Sequence, residues 1–281
     1  MLLYCFASCH INDIVGALGL RKADLFNDAP HRFAQQRVHR AAVAQEEERR
    51  RDQLSADAAQ LYLEGQAVCA DDECSEWLKS RGIDPQRVTD FALARALSAD
   101  QPTPSWAAAG SRSWSQSGHR VLVPLYDHHG RMRSVHARRV VAGDPKELSP
   151  RGGSRSGLVM ANGLAQLMLR GEPLGDGSPV GELLSQVGLW VAEGTTDFLT
   201  ACCTRSDADD AAPAVVGVVS GSWTTDMSTC IPDRTPVCIA TDDDGAGDKY
   251  AAAILESLRE RVALGALPAP RRWRASGRRA S

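Results

Sequence analysis

Residues 237–248 read VCIATDDDGAGD. The first four are apolar and partly β-branched, which predicts a buried strand, and the three acids and two glycines after them predict a carboxylate-rich turn. A helix is expected over residues 249–260, because Tyr250, Ile254 and Leu258 recur there at helical spacing. The stretch therefore predicts a strand-to-helix junction of an α/β unit, and ligands usually bind at such junctions.

The acids of this turn leave two roles open. Asp242 and Asp244 are two residues apart and can project to the same side, where their charges repel unless a cation lies between them. Oxygen ligands of this kind suit Mg²⁺ or Mn²⁺. Alternatively, Asp244 stabilises the start of the following helix by interacting with the helix dipole. This stretch alone does not decide between a metal site and a helix cap.

A second stretch repeats the order of strand, acid, glycine and helix. Residues 188–197 read GLWVAEGTTD, and Phe198, Leu199 and Cys202 continue at helical spacing. If the two strands are neighbours in one parallel sheet, Glu193 lies at the same sheet edge as the acids of the first stretch. All of them can then share a metal ion.

Together, the pattern E-G-x-x-D at 193–197 and the pattern D-x-D-x-x-G at 242–247 resemble the Toprim domain of bacterial primases, topoisomerases and some nucleases. The resemblance implies an α/β fold, in which a mostly parallel central sheet is flanked by helices and preceded by a mixed α+β subdomain. It implies a Mg²⁺ or Mn²⁺ site at Glu193, Asp242 and Asp244, with Asp243 and Asp197 as auxiliary acids and Gly221 in a turn where the backbone approaches substrate.

A basic hairpin is predicted upstream of these motifs. Residues 119–127 predict a strand, residues 128–130 a turn, and residues 131–138 a return strand with cations at Arg131 and Arg133. The phrase P-K-x-L follows at 145–148, an order that resembles the subdomain preceding Toprim in bacterial primases. The resemblance implies that Arg138 and Lys146 contact template or nucleotide phosphates, which their charges suit. The alternative for Lys146 is a surface ion pair with Asp144.

The amino terminus contains a cysteine pair, Cys5 and Cys9, followed by a G-L-x-x-x-D-L-F phrase that ends at Phe26. This resembles the second half of the zinc ribbon of phage-type and bacterial primases. A tetrahedral zinc site needs four ligands, and only one pair is present, so we do not expect this chain to bind zinc. The carboxyl end departs from the family pattern as well, and we expect the chain to be truncated at both ends.

Composition limits the function further. The 281 residues carry a formal net charge of −3, but nine Lys/Arg and three Asp/Glu lie between Arg112 and Arg155, which makes a polyanionic partner or a solvated basic face plausible. The chain has no secretory signal and no apolar run of membrane-spanning length, so we expect a cytoplasmic protein that does not bind membranes. The expected regions are a half zinc ribbon (1–28), a charged helical linker (29–65), a primase-core subdomain (66–178), a Toprim domain (179–265) and a basic disordered tail (266–281).

Three functions remain open. The first is a primase-type RNA polymerase of phage or mobile-element replication, which would use single-stranded DNA and ribonucleoside triphosphates and could act with a replicative helicase. The second is a Toprim nuclease with the same metal site. The third is a non-catalytic remnant that binds DNA or a helicase. The basic hairpin and the P-K-x-L phrase favour the first over the second.

Overall fold

The computed structural model describes residues 9–22, 30–203, 213–219 and 221–258. The basic tail predicted at residues 266–281 lies outside this part of the chain.

The chain divides into two compact units, residues 1–50 and 51–281. Helix α1 spans Ile11–Ala17, and helix α2 spans Pro30–Glu64, so that α2 begins in the first unit and ends in the second. None of the helices that the structure describes, α2 included, combines the length and the apolar character needed to cross a bilayer.

An antiparallel sheet forms the first half of the second unit. Its centre is the predicted hairpin, and its strands lie in the spatial order β1 (Gln66–Ala67), β2 (Arg95–Ala96), β5 (His119–Tyr126), β6 (Met132–Arg139) and β7 (Glu147–Leu148). Leu122 of the hairpin packs with Leu61 of α2 on one face, whereas Val121 and Val123 are buried on the other, which explains the continuous apolar run. The other elements of this half are a 3₁₀ helix (Val68–Ala70), α3 (Asp72–Ser80), α4 (Pro85–Asp90), and the strands β3 (Ala108–Ala109) and β4 (Arg112–Ser113), which pair with each other in a separate two-stranded sheet.

A second sheet follows, with the spatial order β11 (Val237–Ala240), β9 (Leu189–Glu193), β10 (Ala214–Val218) and β8 (Met160–Ala161). Its first three strands are parallel and only β8 runs antiparallel, so the expected mostly parallel sheet flanked by helices is confirmed. The helices of this half are α5 (Gly163–Arg170), α6 (Val180–Val187), α7 (Gly194–Cys203), α8 (Thr225–Thr229) and α9 (Gly245–Leu258).

The two sheets share one hydrophobic core. The cluster that contains Val121 and Val123 of β5 also contains Phe198 of α7 and Val215 of β10, all of them buried. Phe198 is possible there because Gly217 lies against it: a Cβ atom on Gly217 would come within 2.7 Å of the Phe198 Cβ atom. Burying a side chain of this size contributes about 1.5–3 kcal/mol, so this packing ties the two sheets together.

Candidate active site

The two acidic motifs meet at one edge of the second sheet. Strands β9 and β11 are parallel neighbours with Ala192 opposite Ala240. The two acidic motifs therefore begin at the same position along the strand direction. The backbone N–H of Asp242 donates a hydrogen bond of 3.1 Å to Oε2 of Glu193. Glu193 and the acids after β11 are therefore at the same edge, as the strand order required.

Asp244 caps helix α9. Its Oδ1 accepts hydrogen bonds from the backbone N–H groups of Ala246 (2.9 Å) and Gly247 (2.8 Å). The helix consequently begins at Gly245, four residues before the start that spacing predicted, because a carboxylate at this position satisfies two N–H groups that have no partner within the helix. Of the two roles left open for Asp244, the described contacts show the cap.

The glycine after Glu193 allows strand β9 to turn directly into helix α7. Gly194 has φ +78°, a conformation that side chains with a Cβ atom rarely adopt. Thr195 is fully buried, and its Oγ1 has no hydrogen-bond partner among the described residues. The first N–H groups of a helix and its dipole favour anions, so the start of α7 is suited to a phosphate.

A solvent-open cavity of about 420 Å³ lies at this junction. It brings cations of the first half of the unit against the acids of the second sheet. Among the described residues, three cationic and four carboxylate side chains line it, a balance that does not favour a polyphosphate unless a cation binds as well. The lining residues are Arg138, Lys146, Glu147, Arg155, Glu193, Gly194, Thr195, Thr196, Asp197, Val219 and Asp242.

The donor chemistry fits a hard divalent cation, but the donors are not gathered into a finished site. Glu193 and Asp242 line one cavity, and both carry carboxylate oxygens, the ligands that Mg²⁺ prefers. Within the part of the chain that the structure describes, no group of three or more His, Cys, Asp or Glu side chains is placed to hold a metal ion. Asp243 is exposed at the same turn.

Two predicted cations lie in the cavity and two do not. Arg138 and Lys146 line it, and the side chain of Lys146 makes no ion pair within the described residues, so that the alternative pair with Asp144 is absent there. Arg133 instead lines a separate cavity of about 520 Å³ and lies 3.3 Å from Asp127, and Arg131 lies 3.9 Å from the same carboxylate. The hairpin therefore does not present one continuous cationic face.

Two further predictions concern Gly221 and the amino-terminal cysteine pair. Gly221 follows strand β10 with φ +73° and is not among the cavity residues. Cys9 is an exposed free thiol, and Cys5, the other cysteine of the amino-terminal pair, lies outside the described residues.

Sequence reasoning missed two charged residues of the cavity, Arg155 and Glu147. Arg155 lies at the end of the basic segment whose charge was counted, but its position in a glycine- and serine-rich stretch gave no indication of where it points. Glu147 occupies the variable position of P-K-x-L, for which the resemblance predicts no role.

Residues 190–269 match the family described as Toprim-like. The matched segment contains Glu193 and the acids of 242–244, so the match confirms the Toprim resemblance that the two motifs indicated. No curated protein matches the chain significantly.

Solved primase structures are similar to the chain. One is a DnaG primase catalytic domain bound to single-stranded DNA, with 18% identity and a TM-score of 0.46, covering 74% of this chain and 66% of that one. Another comprises the zinc-binding and RNA polymerase domains of Aquifex aeolicus primase, with 19% identity, a TM-score of 0.45, and 78% and 54% of the two chains covered. A third is the E. coli primase catalytic core, with 17% identity, a TM-score of 0.44, and 73% and 67% covered. The chain thus spans less than two thirds of the length of the first two structures.

Proposed function

We propose that this chain is a primase-type catalytic core that joins ribonucleotides on a single-stranded DNA template. The observation that carries the proposal is the single cavity in which Glu193 and Asp242 face Arg138 and Lys146. A reaction between polyanions requires both groups: acids that can hold a divalent cation, and cations that bind phosphates.

Each wall of the cavity has a separate task. Arg138, Lys146 and Arg155 bind phosphate oxygens of nucleotide or template, and the first N–H groups of α7 supplement them. Glu193 and Asp242 hold Mg²⁺, or Mn²⁺ in its place, with Asp244 and Asp243 as further candidate ligands and Asp197 as an auxiliary acid. When bound, the metal ion would neutralise the triphosphate and stabilise the charge that develops during attack by a 3′ hydroxyl. Replication of a phage or mobile element is the expected setting, with a replicative helicase as a candidate partner.

A non-catalytic DNA-binding protein is the second candidate. It is favoured by one observation, namely that Asp244 caps α9 and the acids of the described chain do not converge into a three-ligand site. Such a protein would still bind single-stranded DNA through Arg138, Lys146 and Arg155, with the salt dependence of phosphate contacts.

Ribonucleotide incorporation on single-stranded DNA tests the proposal directly. We expect incorporation with Mg²⁺ or Mn²⁺, and a loss of at least about 100-fold in Glu193→Gln, because weaker metal binding removes several kcal/mol of charge stabilisation. Glu182→Gln, an exposed acid on α6, is the matched control and should leave the rate unchanged.

Each contrary result identifies an alternative. Folded wild-type protein that binds DNA without incorporating ribonucleotides would establish the non-catalytic function. Metal-dependent cleavage of DNA that Glu193→Gln abolishes would establish a Toprim nuclease instead.

A further inference from the structure

A buried hydrogen-bond network supports one wall of the cavity. Glu147 of β7 lies directly opposite Arg138 of β6 in the antiparallel ladder. Its Oε1 accepts a hydrogen bond of 2.9 Å from Nη1 of Arg138, and its Oε2 lies 3.0 Å from Nε2 of His136. His136 and Arg138 are two residues apart on one strand and so point to the same face. One carboxylate therefore holds both side chains.

The other sides of this network are fixed as well. His136 is fully buried, and its Nδ1 lies 3.0 Å from Oγ of Ser149. The guanidinium carbon of Arg138 lies 5.5 Å from the ring centroid of buried Trp77, a cation–π contact. Only 13% of the Arg138 side chain is exposed, and its Nε has no partner among the described residues. Arg138 is consequently held in one place with part of its donor capacity unused.

The segment that carries Lys146 and Glu147 is fastened by a second histidine. His119 of β5 is fully buried, and its Nε2 lies 2.9 Å from the carbonyl oxygen of Pro145, while its Nδ1 lies 2.9 Å from Oγ of Ser117. The two buried histidines of the hairpin strands, His119 and His136, thus bind residues 145–147 to the sheet. Arg138 and the backbone that carries Lys146 are therefore held in place before a ligand binds, which lowers the entropy cost of ordering them.

The charge state of Glu147 determines how this residue can affect the binding of a phosphate. Burial alone would raise the pKa of Glu147, but the hydrogen bonds and charges of His136 and Arg138 outweigh that effect and lower the pKa to about 2. The side chain is therefore an anion at neutral pH, inside a cavity proposed to bind polyanions. By charge alone it would weaken the binding of a phosphate, so a benefit from this residue has to come from geometry.

We infer that Glu147 is a positioning residue, which acts through Arg138 by holding its guanidinium at the cavity for a phosphate group, with His136 as the buried support of the carboxylate. The inference rests on the proposed function, because it assumes that Arg138 binds a phosphate of nucleotide or template. It goes beyond that function by assigning a role to an acid that neither motif contains.

Binding measurements on the full chain test this assignment. One probe is N-methylanthraniloyl-ATP with Mg²⁺ and the other is a fluorescein-labelled oligothymidylate, so that the phosphate comes from a nucleotide in one arm and from a DNA strand in the other. Fluorescence anisotropy at fixed salt gives the dissociation constant for the wild type and for variants at Arg138 and Glu147. Circular dichroism confirms that each variant is folded.

The expected pattern separates position from charge. Arg138→Ala and Glu147→Ala each raise the dissociation constant of one probe by about tenfold, which is the scale of one lost charge-assisted hydrogen bond. The double variant binds no more weakly than Arg138→Ala alone, because Glu147 acts only through Arg138. Glu172→Ala, which removes an acid paired with Arg170 at 3.0 Å outside the cavity, leaves both affinities unchanged.

Two conservative variants complete the design. Glu147→Gln keeps the side-chain length and an oxygen for Arg138 but loses the charge, and it should bind within about threefold of the wild type, since only part of one hydrogen-bond energy is lost. Glu147→Asp keeps the charge but withdraws the carboxylate by one methylene group, and it should bind as weakly as Glu147→Ala. If Glu147→Ala does not fold, the comparison of Glu147→Gln with Glu147→Asp tests the inference instead.

The contrary outcomes are distinguishable. If Arg138→Ala weakens binding but Glu147→Ala binds as tightly as the wild type or more tightly, the carboxylate acts only as a charge and the inference alone is overturned. The same holds if the effects of the two alanine substitutions add. If Arg138→Ala leaves both probes unaffected, the phosphate contact in the proposed function is refuted together with the inference.

Discussion

Replacing Asp244 tests whether this residue caps a helix, binds a metal ion or does both. A side-chain cap of the kind it forms with Ala246 and Gly247 contributes about 0.5–2 kcal/mol, and a carboxylate at the start of a helix adds about 0.3–1 kcal/mol. Since the acid is exposed, the lower part of the second range applies. We therefore expect Asp244→Ala to lower the free energy of unfolding by about 1–2 kcal/mol in the absence of metal.

Two further variants isolate the contributions. Asparagine caps helices about as well as aspartate, so Asp244→Asn should cost no more than about 0.5 kcal/mol, the share of the lost charge. Asp243 is the matched control, because it is also exposed and forms no hydrogen bond or ion pair with other described residues. Asp243→Ala should change the unfolding free energy by less than about 0.5 kcal/mol.

Urea unfolding, followed by circular dichroism with EDTA and then with Mg²⁺, gives the required free energies. A ligand that binds only the folded state at ten times its dissociation constant stabilises by about 1.4 kcal/mol. If Asp244 also holds Mg²⁺, this gain should appear in the wild type and disappear in Asp244→Asn. Equal stability of Asp244→Ala and Asp243→Ala in EDTA would refute the capping argument. A full Mg²⁺ gain in Asp244→Asn would remove Asp244 from the set of metal ligands.

Three other predictions concern the framework of the site. Gly217→Ala should cost about 1–3 kcal/mol in urea unfolding because the new Cβ atom would overlap Phe198, whereas Gly163→Ala, with nothing within 4 Å, should be nearly neutral; equal effects would contradict the packing argument. Arg120→Met should lower the free energy of unfolding by about 3 kcal/mol, because the carboxylates of Asp71 and Glu73 lose the buried guanidinium to which they are hydrogen-bonded. A loss under about 1 kcal/mol would contradict this argument. The pKa of Glu147 is lowered from 4.5 to about 2 in the folded state, so its ionisation adds about 3 kcal/mol to the free energy of unfolding. This contribution is fully present above pH 4.5 and is lost as the pH falls towards 2. Glu147→Gln should therefore flatten the dependence of the unfolding free energy on pH in this range.

Local pattern was sufficient for much of the fold. The strands at 189–193 and 237–240 and the hairpin at 119–139 follow from apolar runs and turn residues, which depend on near neighbours only. The two-residue strands, such as β8 at 160–161, could not be predicted, because a strand so short is defined by a distant partner. The start of α9 was missed because the cap moved it into the acidic turn.

The residues of the candidate site also divide into those that the sequence pattern could place and those that it could not. Glu193 and Asp242 could be placed together since one assumption, that their strands are parallel neighbours, fixed both. Arg133 and Arg138 looked alike in sequence, but they are an odd number of residues apart on one strand and so face opposite sides of the sheet. Arg155 lies outside the regular elements and has no periodicity from which its direction could be inferred.

The hydrophobic core shared by the two sheets also limits how far the Toprim-like segment can be treated as a portable module. Phe198 and Val215 belong to that segment, but the side chains that cover them, Val121 and Val123, come from the hairpin about 80 residues earlier in the chain. Excised by itself, residues 190–269 would expose this apolar face and lose Arg138, Lys146 and Arg155. The cavity needs both the acids of the second sheet and the cations of the first half of the unit. Grafting the acidic motifs alone onto another scaffold would therefore transfer the acids without the cations.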